Sequence, residues 1–259
     1  MGLQAEGAVQ NAVQKVPEIT LWFWIVKVAA TTLGETGGDA VTMSMGLGYL
    51  VGTAIFASLF VLAVAAQIKA RKFHPFLFWF VIVATTTAGT TLADLLDRSL
   101  GIGYLGGTSI LLAMLFATLF LWHRTLGSIA VSTIRSPGGE LFYWVTIMFS
   151  QTLGTALGDW VADGKTGLGL GYQGGALVFG AGLAIVAALY FWSRVSHTLL
   201  FWAAFILTRP LGATVGDLLD KPLADGGMAL SRYTASACLA AFMIACILLM
   251  PRRAGRHAA

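Results

Sequence analysis

Four tryptophans, Trp24, Trp79, Trp144 and Trp202, set the frame of this sequence. Ten residues after each stands a glycine: Gly34, Gly89, Gly154 and Gly212. Fifteen residues after each stands an aspartate: Asp39, Asp94, Asp159 and Asp217. The pattern W-x9-G-x4-D recurs four times without a gap. Chance does not plausibly produce that, so the chain is an internal repeat. A polar or glycine-rich loop and a second apolar run follow each aspartate. Three of these runs open on Gly48-Tyr49, Gly103-Tyr104 and Gly171-Tyr172, and the fourth on Arg232-Tyr233. The units fall at about 18–68, 73–122, 138–192 and 196–250, within one transmembrane domain over 1–259.

The apolar runs are too long and too plain for a soluble repeat. Of 259 residues, 57% are hydrophobic and 11% charged, where soluble domains carry about 25% charge. Mean hydropathy is +0.80. Eight segments are predicted to cross a bilayer: 21–40, 47–67, 76–96, 104–122, 141–162, 172–192, 199–219 and 230–250. Each is near the roughly 20 residues a spanning helix needs, whereas membrane strands would be shorter and alternating. The expected fold is an all-α, polytopic membrane protein. Its eight transmembrane helices form four parallel two-helix repeats around a pseudo-symmetric centre, twofold or fourfold. The first residues lack a basic stretch followed by an apolar run, so no cleaved signal peptide is expected. Cys238 and Cys246 share one helix too far apart to bridge and read as packing residues.

Two segments per repeat return the chain to its starting side. The loops before the tryptophans carry Lys69, Arg71, Lys72, Arg124, Arg135 and Arg194, and the ends add Lys15, Arg252, Arg253 and Arg256. The other side carries Arg98, Lys165, Lys221 and Arg232. Ten basic residues against four predict that both termini are cytoplasmic. With the charge spread over short loops, nucleic acid is not an expected partner; the lipid bilayer is. Trp22, Trp24, Phe78, Trp79, Tyr143, Trp144 and Trp202 read as an aromatic interface belt. His74, His123 and His197 lie in the same basic loops and His257 in the tail, which points to interface placement and not to a metal site.

The first helix of each repeat carries two stripes. Gly34/Gly38, Gly89/Ala93, Gly154/Gly158 and Gly212/Gly216 are spaced small-x3-small. That spacing lets membrane helices approach closely and places these four helices at the centre. The neighbouring stripe is polar. It reads Lys27, Thr31, Glu35, Asp39; Ile82, Thr86, Thr90, Asp94; Ile147, Gln151, Thr155, Asp159; and Phe205, Arg209, Ala213, Asp217. Fifteen residues rise roughly 22 Å, which sets the four aspartates in the outer part of a hydrocarbon layer roughly 30 Å thick. A charge there costs at least about 2.5–3.5 kcal/mol unless paired or hydrated, so the stripe should face protein or water. Asp97, Asp163, Asp220 and Asp225 are expected at the headgroups, ending helices. Lys27 is expected to pair with Glu35 or Asp39, and Arg209 with a carboxylate of another repeat, Asp94 or Asp159. Arg209-Pro210 is expected to break its helix.

This organisation resembles a bacterial integral membrane family built of four tandem two-helix repeats with a tryptophan, the repeat being of unknown function. The resemblance spans roughly residues 18–250 and implies a bacterial inner membrane, with no assigned site. Function must then come from the residues. Carboxylate, hydroxyl and amide oxygens suit hard cations. The expected function is transport of a cation, a metal ion with possible proton coupling. The candidate ion-binding residues are Asp39, Asp94, Asp159, Asp217, Glu35, Thr86, Thr90, Gln151 and Thr155, with the four aspartates as metal ligands. A cation channel with an acidic vestibule and a non-transporting scaffold or chaperone are the alternatives. No nucleophile–base pair, phosphate loop or dinucleotide fingerprint occurs, so neither an enzyme nor a cofactor is expected. The pattern specifies no oligomeric state.

Overall fold

A computed structural model describes residues 15–134 and 136–249. Arg135, Arg252, Arg253, Arg256 and His257, used above for topology, lie outside the described residues. Eight long helices run in chain order. They are α1 (Leu21–Asp39), α2 (Gly48–Lys69), α3 (Pro75–Asp94), α4 (Tyr104–Leu126), α5 (Pro137–Ala162), α6 (Gly171–Trp192), α7 (His197–Asp220) and α8 (Arg232–Leu249). Wide π-helical turns, Ala40–Ser44 and Leu95–Ser99, extend α1 and α3. The helix bounds follow local chemistry. Proline opens α3 and α5, where its missing N–H has no helical partner to lose. The Ser136 side chain also accepts from Gly139 N at 3.1 Å, starting α5 earlier than its apolar run suggests.

Before α2, α4 and α6 the chain turns through G-x-G-Y. Both glycines of each turn take positive φ, from 68 to 75°: Gly46 and Gly48, Gly101 and Gly103, Gly169 and Gly171. Only glycine adopts that region without strain. The fourth repeat lacks the motif, and Ala229 takes φ 55 instead.

The four odd-numbered helices close a ring in the order α1, α3, α5, α7 and back to α1. The outer helices follow the same cyclic rule. Each packs chiefly on the inner helix of the next repeat: α2 on α3, α4 on α5, α6 on α7, and α8 on α1. Repeats are therefore interlocked and not stacked as separate hairpins. The registry repeats fourfold. A Cβ on Gly34 would strike Thr86, on Gly89 the backbone of Gln151, on Gly154 Arg209, and on Gly212 Thr31. Each contact sets a glycine of one repeat against the residue seven after the tryptophan of the next. One turn on, Gly38 meets Thr90, Gly158 meets Ala213 and Gly216 meets Glu35. The small-x3-small stripe is the ring's contact surface.

Polarity is inverted relative to a soluble bundle. The inner helices bury their threonines and charges, while the outer ones expose Leu62, Phe116, Ile185 and Leu248. Six helices, α2, α3, α4, α6, α7 and α8, are long and apolar enough to cross a membrane. The polar stripes of α1 and α5 keep those two out of that set. In the ring each lies between α3 and α7. This is the geometry of an all-α polytopic membrane protein.

Two expectations are corrected here. Helix α7 runs unbroken through Pro210. Pro210 packs against Gly154 and Gly158, and that support tolerates one missing backbone donor. The aromatic residues are not a lipid-facing belt. Phe78, Trp79, Tyr143, Trp144 and Trp202 are all buried. They form a closed cycle in which each pre-tryptophan aromatic packs on the next repeat's tryptophan. The centroid distances are 5.4 Å for Phe23–Trp79, 5.8 Å for Phe78–Trp144, 6.2 Å for Tyr143–Trp202 and 5.8 Å for Phe201–Trp24. Only Trp22 is exposed as a belt residue would be, at 50%.

Candidate functional site

The polar stripe follows small-x3-small by one helical step, so ring closure turns it onto the axis. Above the aromatic layer come three fully buried apolar side chains, Ile82, Ile147 and Phe205, with Lys27 as the fourth member. The next level holds Thr31, Thr86, Gln151 and Arg209, all buried. Then come Glu35, Thr90, Thr155 and Ala213, and last the four aspartates.

Arg209 joins two of these levels. Its Nη2 donates to Glu35 Oε2 at 2.9 Å and to the hydroxyls of Thr90 and Thr155. Four repeats thus meet on one guanidinium. The partner is a carboxylate of another repeat, Glu35, and not Asp94 or Asp159. Cyclic packing explains the choice, because α7 lies beside α1 in the ring. Lys27 does not pair with Glu35 or Asp39. Its ammonium lies 3.5 Å from Gln151 Oε1 and 4.1 Å from the Phe205 ring centroid. Glu35, two turns along, is already held by Arg209.

The four aspartates do not form one cluster. Arg98 Nε lies 3.0 Å from Asp94 and its Nη2 3.0 Å from Asp159. Lys221 Nζ contacts Asp39 and lies 2.9 Å from Asp217. Arg98 and Lys221 stand at equivalent places in the second and fourth repeats, within D-L-L-D-R (Asp94–Arg98) and D-L-L-D-K (Asp217–Lys221). Each clamps its own aspartate and that of the following repeat. Fourfold packing therefore carries twofold electrostatics. Burial works against the Lys221 charge, but Asp217, Asp39 and Asp220 outweigh it and hold its pKa well above the usual lysine range.

As a metal set, Asp39, Asp94, Asp159 and Asp217 are corrected. The described residues bring together Glu35, Asp39 and Asp217, with one oxygen of each within 4.8 Å of the others. Asp94 and Asp159 belong to the Arg98 clamp. Asp97 and Asp220 were expected at the headgroups, but both are 7% exposed. Asp220 accepts from Arg232 Nε at 3.1 Å, and Arg232 also donates to Ser44. Asp163 does end its helix, accepting from Thr166 N at 2.8 Å and Thr166 Oγ1 at 2.6 Å. Those bonds hold its carboxyl below the usual aspartate value. Arg98, Lys221 and Arg232 are the site residues that a side-by-side charge count missed. The i,i+4 spacing inside the two D-L-L-D-[RK] strings was the available signal.

A lysine also closes the tryptophan end. Lys15 Nζ meets Glu140 Oε1 at 2.6 Å and the carbonyls of Gln67 and Ile68 at 3.2 and 2.8 Å. It ties the N-terminal segment to α2 and α5.

No curated protein and no solved structure matches this chain. A family model described as a repeat of unknown function (DUF347) matches residues 22–73, 77–128, 142–196 and 200–255. These four matches reproduce the tryptophan-framed units and cover most of the chain. The protein belongs to the family built from this repeat.

Proposed function

We propose that this protein is a membrane transporter for a small hard cation, with Glu35, Asp39 and Asp217 as the binding carboxylates. One observation carries the reading. Three buried carboxylates come within ligand distance of one another, and the Lys221 ammonium is held by two of them. Lys221 then acts as a tethered competitor: it offsets part of the site's negative charge when no cation is bound and withdraws when one enters. Thr90, which donates to Glu35 at 3.2 Å, adds a hydroxyl oxygen at the same level. Proton coupling follows naturally where carboxylates exchange a cation for a proton. The chain works in a bacterial inner membrane with both termini cytoplasmic, without a cofactor, enzymatic chemistry or nucleic acid.

A second reading has its own support. The Arg98 and Lys221 clamps engage all four aspartates, as a purely structural lock would. Flux decides between them. The full chain is reconstituted in liposomes, uptake of sodium, magnesium and manganese ions is measured as the metal content of the washed vesicles, and a pH-sensitive dye inside reports any proton exchange. Transport predicts uptake for at least one ion, reduced at least tenfold in Asp39→Asn and Asp217→Asn. Absence of uptake for all three, in protein that stays folded, overturns the transport reading.

A further inference from the structure

Below the carboxylates the axis carries basic side chains. Lys27 and Arg209 are both fully buried, and among the described residues Glu35 is the one carboxylate that meets either of them. The aspartates one level up are engaged by Lys221 and Arg98. Lys27 makes no ion pair among the described residues, and its nearest polar partner is the Gln151 amide oxygen. Its neighbours on the same levels are donors in search of an acceptor. Gln151 Nε2, Arg209 Nε and Arg209 Nη1 are buried with no hydrogen-bond partner among the described residues, as is Thr86 Oγ1. Gln151 and Arg209 are 0% exposed. Buried polar groups are nearly always satisfied, and buried charges are balanced. Several idle N–H groups on this axis, two of them on the Arg209 guanidinium, call for the same thing, an electron-rich acceptor.

We propose that the levels of Lys27, Gln151 and Arg209 hold a small monovalent inorganic anion, of the chloride class. Three features fit that class. The donors come from three different repeats and stand on two adjacent levels of the axis. The Phe205 face and the aromatic cycle beneath make the surroundings apolar, which favours a weakly hydrated anion over a strongly hydrated one. The inner helices touch at glycines, so a small ion suits this axis better than a phosphate ester or an organic acid. Gln151 gives its amide oxygen to Lys27 at 3.5 Å, which leaves its Nε2 donor free for another acceptor. The proposal does not depend on cation transport, because it concerns different residues and a ligand of opposite sign.

The test uses purified full-length protein in detergent. Its melting temperature is followed by tryptophan fluorescence while sodium gluconate is replaced by sodium chloride at constant sodium. Wild type should show a rise that grows with chloride concentration and reaches roughly 3–6 °C at about ten times the anion's Kd. Bromide should act like chloride. Lys27→Met should lose the response. Gln151→Glu places a tethered carboxylate beside Lys27, so it should melt higher than wild type in gluconate and ignore chloride. That variant decides the matter if Lys27→Met does not fold. A wild type that melts equally in both salts overturns the proposal, since water alone would then satisfy the donors. A chloride response that survives unchanged in either variant also overturns it, since the anion would then bind elsewhere.

Discussion

Gly212 on α7 lies against Thr31 on α1, closing around the ring the contact that Gly34 makes with Thr86. The last repeat thus docks on the first by the same registry that joins neighbours in sequence. A ring held this way has no spare volume at its four glycines. Gly212→Val should destabilise by at least about 2 kcal/mol, the scale of overpacking in a close-packed interior. Gly180 on α6 is the control, because a Cβ there meets nothing within 4 Å. Gly180→Ala should be neutral or stabilising by about 0.5 kcal/mol through helix propensity. Melting temperatures of the two purified variants check the contrast. Equal loss in both would sink the ring-contact account.

The repeat arithmetic made most of this legible. W-x9-G-x4-D located the inner helices, and small-x3-small put them at the centre, because close approach in lipid needs small side chains. The polar stripe followed from geometry alone. What the sequence hid was partner choice. Which carboxylate meets Arg209 depends on the cyclic order, which brings α1 beside α7 although 174 residues separate Glu35 from Arg209. The tryptophans misled because amphipathic rings suit an interface and a packed layer equally well. Arg98 and Lys221 misled because a count of loop charges by side discards their spacing to Asp94 and Asp217.

The Arg209–Glu35 pair should behave as a coupled unit. Both groups are inside the ring, at 0% and 3% side-chain exposure. Removing one leaves the other charged and uncompensated, at a cost of about 3–5 kcal/mol. Glu35→Gln and Arg209→Gln should each lower the melting temperature strongly. The double variant should be more stable than either single one, because glutamine amides can bond each other and the Thr90 and Thr155 hydroxyls. Arg209→Leu should be worse than Arg209→Gln, since it leaves Glu35 with Thr90 alone as a donor. A double-variant cycle on the melting temperature measures the coupling. Additive effects would show that the two groups are energetically independent.

Orientation is open to direct measurement. With the tryptophan end inside, the loop carrying Lys165 faces outward and that carrying Lys72 faces the cytoplasm. In a background with Cys238 and Cys246 replaced by serine, Lys165→Cys should react with a membrane-impermeant maleimide in whole cells. Lys72→Cys should react only after permeabilisation. The reverse labelling would invert the topology and place the carboxylate triad on the inner side.

The two clamps differ in one respect that separates transport from a structural lock. Lys221 pairs with Asp39 and Asp217, and Glu35 brings a third oxygen within 4.8 Å of theirs. Beside Arg98 stand Asp94 and Asp159, a pair without that third ligand. Replacing either cation with methionine should lower stability by about 3 kcal/mol, because buried carboxylates lose their counter-charge. Only the Lys221→Met loss should then be repaired by a free ion, since three oxygens can hold a hard cation and two held apart by an absent guanidinium cannot. Titrating sodium, magnesium or manganese ions into purified Lys221→Met should raise its melting temperature saturably toward wild type, with one ion preferred. Arg98→Met should stay flat. Lys221→Arg keeps the charge and should need no ion. If no ion restores Lys221→Met, Lys221 is a fixed structural counter-charge and the triad holds no cation. If both methionine variants are restored alike, the effect is general screening of a negative surface and the triad has no special place.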